Sequence, residues 1–96
     1  MLAVFKYPLM LDGVTTVRLT HPPLYCRERG GTVCIWALHG DALPETEHHY
    51  LCINTGQEIP ASLRIVRSIR MGHLIGGLII VHVFEVAPAI SAEVPA

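Results

Sequence analysis

Short apolar blocks separated by Gly, Pro and Asp signals run the length of this chain. The clearest is Gly76-Gly77-Leu78-Ile79-Ile80-Val81-His82-Val83-Phe84-Glu85-Val86, a β-branched run behind a glycine pair. So short and so rich in Ile and Val, it reads as a buried strand rather than a helix. Leu78, Ile80, Phe84 and Val86 fall on one face and Ile79, Val81 and Val83 on the other. A strand that is apolar on both sides belongs in the middle of its sheet.

The same reading carries along the chain. Val4 to Tyr7 is a first strand closed by Pro8, and Asp12-Gly13 signals a hairpin or short loop before a second strand from Val14 to Leu19. His21-Pro22-Pro23 interrupts it, because consecutive prolines donate no ladder hydrogen bonds. Leu24 to Glu28 and Thr32 to Leu38 form the third and fourth strands, expected as a hairpin about Gly30-Gly31. His39 to Glu47 is a polar loop, His48 to Asn54 a fifth strand, and Thr55 to Pro60 a second loop.

Leu63 to Met71 is ambiguous. Arg64, Arg67 and Arg70 recur at a helical interval, yet Ile65, Val66 and Ile69 are β-branched. A strand with a bulge reconciles the two. Ala87 to Ala96 has no apolar period and reads as a flexible tail, leaving residues 1–86 as a single β domain. About seven strands with turn signals every 8–12 residues predict an all-β fold, a compact antiparallel sandwich or small barrel.

Composition narrows the function classes. The 96 residues suit one domain, 51% of them hydrophobic and 16% charged. So few charges leave apolar surface for a partner or a second copy, and we expect a homo-oligomer. A net charge of −1 gives no global field toward nucleic acid or anionic lipid, so neither sequence-specific nucleic-acid binding nor membrane association is expected. Lys6 and Pro8 break the apolar stretch from Met1 to Leu11, which argues against a signal peptide. Three cysteines without such a signal suggest reduced thiols in a cytosol.

Candidate chemistry is sparse. Cys26, Cys34 and Cys52 lack Cys-x-x-Cys spacing and read as small buried hydrophobes, with Cys26 and Cys34 able to face each other across the hairpin. His48 and His49 are adjacent and point to opposite faces of a strand; only His48 with Cys52 and a remote His39 or His73 would make a metal set, and none is expected. His82 reads as a core histidine bonded to backbone. No Gly-x-Ser-x-Gly turn is present, and Asp41, Glu45 and Glu47 read as solvated loop, so neither catalytic residues nor a cofactor are expected. The concentrated charge is Arg64, Arg67 and Arg70, suited either to phosphates and acidic groups or to a solvated sheet edge. Trp36 and Tyr25 flank Gly30-Gly31, where aromatics beside arginines stack a base or simply pack.

Five pieces in order resemble a known family: Val4-Phe5-Lys6-Tyr7-Pro8-Leu9, Cys34-Ile35-Trp36-Ala37-Leu38, Thr55-Gly56, Gly76-Gly77 and His82-Val83-Phe84-Glu85. They are similar to small proteins of tailed bacteriophages and prophages that carry no established activity. The chain departs from that pattern at Val81, where a tryptophan is common, at Gln57, where a histidine is usual, and at Arg67, which replaces a glycine. The resemblance implies a phage-encoded accessory protein in the host bacterial cytoplasm. The expectation is a non-enzymatic binder, a host-takeover or anti-defence inhibitor whose partner is a host protein, such as a CRISPR component, or a small nucleotide-like ligand. A minor structural or assembly protein of the virion is the alternative. The expected binding residues are Arg64, Arg67, Arg70, Trp36, Thr55 and Gly56.

Overall fold

The computed structural model describes residues 1–75 and 79–89. Seven strands follow one another: β1 (Leu2–Pro8), β2 (Gly13–Leu19), β3 (Pro23–Arg29), β4 (Thr32–Gly40), β5 (Thr46–Asn54), β6 (Leu63–Ile75) and β7 (Ile79–Pro88). They form two antiparallel sheets, a three-stranded sheet ordered β1-β4-β3 and a four-stranded sheet ordered β2-β5-β7-β6. The arrangement is a sandwich. Strand β7 lies inside its sheet, as its two apolar faces predict. It extends to Pro88, which pairs with Leu63, so the sheet includes two residues expected in the tail. Gly76, Gly77 and Leu78 lie outside the described residues, as does the tail from residue 90 onward.

Pleat alternation builds the core. From the three-stranded sheet come Cys26, Val33, Ile35 and Ala37; from the other come Val17, Leu19, Tyr50, Cys52, Val81 and Val83. A second cluster on the outer side of the larger sheet joins Leu51, Ile53 and Val86 to the partly buried Val14, Leu63 and Phe84.

The β3–β4 hairpin forms as expected. Arg29 pairs with Thr32, and the two intervening glycines both have positive φ, 60° and 86°. That is the two-residue turn whose twist matches paired strands, and it favours glycine at both positions. Asp12-Gly13 makes a short connection rather than a hairpin, because β1 and β2 belong to different sheets. The thiol pair is also corrected. Cys26 pairs with Ile35 and Arg27 with Cys34, so the two cysteines are offset by one residue and point to opposite faces.

Strand β6 explains its own ambiguity. Its register with β7 slips between Ile65 and Arg67, between Ser68 and Arg70, and between Arg70 and His73. Arg64, Arg67 and Arg70 stand opposite Ala87, Glu85 and Val83, alternate positions along β7. An interval of three on β6 meets an interval of two on β7, because each of the first two bulges absorbs one residue. The apparent helical stripe is thus a row on a bulged edge strand.

Candidate functional site

Glu85 follows Val81 and Val83 on the core-facing side of β7, and it is only 8% exposed. A carboxylate in that position requires partners. His48 of β5 supplies one: its Nδ1 donates to Glu85 Oε2 at 2.9 Å. Arg67 of β6 supplies the other, with Nε 3.0 Å from Oε1. His48 Nε2 in turn lies 2.9 Å from Thr46 Oγ1. Three neighbouring strands therefore converge on one carboxylate. The cluster lines a cleft of about 200 Å³ between the sheets, closed on the other side by Thr20, His21, Pro22 and Pro23.

Tyr50, directly across from Glu85 on β5, is fully buried, and its hydroxyl has no hydrogen-bond partner among the described residues. Burial raises its pKa, the Glu85 charge raises it further, and Arg67 opposes them. On the same face, burial, with a smaller push from Asp12, moves the Cys52 thiol up to about 11. Such a thiol is a poor nucleophile at neutral pH.

Hydroxyl, imidazole and carboxylate in line share the connectivity of a hydrolytic relay. Arg67 pairs with the second carboxylate oxygen, and Thr46 Oγ1 also lies 3.4 Å from the Leu19 carbonyl on a regular strand. The arrangement holds a nearly buried carboxylate at the wall of the cleft.

The residues expected to bind occupy three places. The arginines lie on edge strand β6, with Arg64 and Arg67 exposed and Arg70 placed by its register. Trp36 lies on the outer face of the three-stranded sheet, where its ring stacks on Tyr25 with centroids 5.0 Å apart. Thr55 and Gly56 form the turn after β5, where Gly56 has φ 89° and Thr55 Oγ1 lies 2.6 Å from His82 Nε2. His82 is therefore tied to a side-chain hydroxyl rather than to backbone. The sequence reading missed Glu85 and the pairing of His48 with it. Alternation from Val81 and Val83 carries the signal, since it turns Glu85 inward.

Fold and site together define an antiparallel β-sandwich domain with a buried ion-pair cluster at an open inter-sheet edge. The chain belongs to the DUF7352 family, a domain of unknown function, whose profile matches residues 1–93. No curated protein and no solved structure matches the chain. Among the described residues, no helix is long and apolar enough to cross a membrane.

Proposed function

We propose that this is a phage-encoded, non-enzymatic binding protein that acts in the host cytoplasm by host takeover or anti-defence. It occupies a host defence protein, such as a CRISPR component, or sequesters a nucleotide signal. The observation that carries this reading is the arginine row on β6. Two bulges bring Arg64, Arg67 and Arg70 into line with alternate residues of β7, beside the cleft of Thr46, His48 and Glu85. Arginines at such intervals along one strand suit phosphate or carboxylate groups of a partner. The phage setting comes from the ordered resemblance in sequence.

Arg67 also supports Glu85, so the test spares it. Native mass spectrometry of protein purified from a bacterial lysate is expected to show a bound small molecule or a stoichiometric protein partner. Arg64→Ala with Arg70→Ala is expected to lose it; a double variant that retains its partner in full overturns the reading. We also propose that the protein is a homo-oligomer, an idea supported by the exposed Ile65 and Ile80 on the larger sheet. Ile65→Lys with Ile80→Lys is then expected to lower the sedimentation coefficient.

The exposed Leu2, Val4 and Leu24 favour a second reading, a minor structural or assembly protein of the virion. Detection of the protein in purified particles supports it, and absence from them excludes it.

A further inference from the structure

The outer face of the three-stranded sheet gathers cations that no carboxylate offsets. The alternation that turns Cys26, Ile35 and Tyr7 inward turns Lys6, Trp36, Tyr25, Arg27 and Arg29 outward. Trp36 stands in the centre, paired with Lys6 on one side and Tyr25 on the other. The Trp36 and Tyr25 rings stack within 16° of parallel, and the Arg27 guanidinium lies 5.7 Å from the centre of the Tyr25 ring. Tyr25 is 49% exposed.

Two arginines elsewhere on the molecule have acidic partners. Arg18 pairs with Glu45 and Glu47, and Arg67 with Glu85. Among the described residues, Lys6, Arg27 and Arg29 have none, and their face of β1, β3 and β4 carries no Asp or Glu. Glu28, on the opposite side of β3, accepts a hydrogen bond from Gly31 N instead. A chain of net charge −1 thus presents three uncompensated cations around an aromatic pair on one open face.

We propose that this face binds single-stranded nucleic acid without sequence preference. Three features select that partner. The aromatic pair offers bases a stacking surface, and stacking is tolerant of sequence because every base has a π-face. Strand geometry separates Arg27 from Arg29 by about 7 Å and Lys6 from β3 by about 10 Å, a spread that suits successive phosphates rather than one nucleotide. Lys6, Tyr25, Arg27 and Arg29 are exposed, whereas mononucleotide sites are enclosed, and a duplex hides the base faces that stacking needs. The proposal is independent of the arginine row, which lies on the other sheet.

Trp36 is the only tryptophan in the chain, so its fluorescence reports directly on the face. The full chain is titrated with a dT 20-mer at 50 and 200 mM NaCl. Saturable quenching is expected, with affinity falling about twentyfold between the two salts, as three phosphate contacts imply. Arg27→Ala with Arg29→Ala is expected to weaken binding at least tenfold at 50 mM NaCl and to reduce the salt effect to about threefold. Both positions are exposed, so an unchanged thermal midpoint shows that the fold persists. Arg64→Ala with Arg70→Ala is expected to leave the quenching intact, which separates this site from the β6 row. Absence of quenching at 50 mM NaCl, or an unaffected Arg27/Arg29 double variant, overturns the proposal. So does equal affinity for poly-glutamate, which would make the face a dock for acidic protein.

Discussion

At the residue scale, the buried carboxylate governs the site. Glu85 has two partners, and losing either leaves a half-satisfied charge in a nearly dry position. Arg67→Ala is expected to destabilise the fold by about 1–3 kcal/mol, read from the urea midpoint. Glu85→Leu removes the charge along with the need for partners, so it is expected to cost less than Arg67→Ala. Cys52 gives a second expectation. Its folded pKa lies above its unfolded value, so its contribution is complete below pH 9 and is lost as pH rises toward about 11. Tyr50, also raised, pushes in the same direction. Stability measured under reducing conditions should therefore fall between pH 9 and 11, and Cys52→Ala should flatten that fall while lowering stability at pH 7. The sequence showed Cys52 as a buried hydrophobe because alternation is local. It did not show the Glu85 cluster, because His48, Arg67 and Glu85 meet only after three strands align.

At the scale of elements, what was legible depended on how local the determinant was. The β3–β4 hairpin is set by adjacent residues, and Gly30-Gly31 announced it. Gly31→Ala places a Cβ at φ 86°, where an L-residue costs about 1–2 kcal/mol, and a matching loss in thermal unfolding is expected. Open space surrounds a Cβ at that position, so the loss reflects backbone strain rather than collision. Asp12-Gly13 left a hairpin and a short loop both open, because the same dipeptide suits a hairpin and a short crossing between sheets. Only long-range pairing decides, and β1 pairs with β4 while β2 pairs with β5. Strand β6 mixed two signals, β-branched residues and arginines every third position, and its bulges satisfy both.

At the scale of the whole molecule, the all-β class followed from the number and spacing of the apolar blocks. The division into sheets did not follow, because every pairing except the β3–β4 and β6–β7 hairpins joins strands that are not consecutive. The expected binding residues likewise came from three separate stretches, and the fold distributes them over an edge strand, an outer face and a turn. The first β6 bulge also bears on how this chain tolerates change in length. Val66 has no partner on β7, while Ile65 and Arg67 on either side face the consecutive residues Val86 and Glu85. Excising Val66 would therefore close the gap into a regular ladder and leave every other pairing in phase. A chain lacking Val66 is expected to fold with the Arg67–Glu85 pair intact, whereas one lacking Phe84 should fail to fold. The first bulge is thus a place where an in-frame codon can come or go without altering which residues meet.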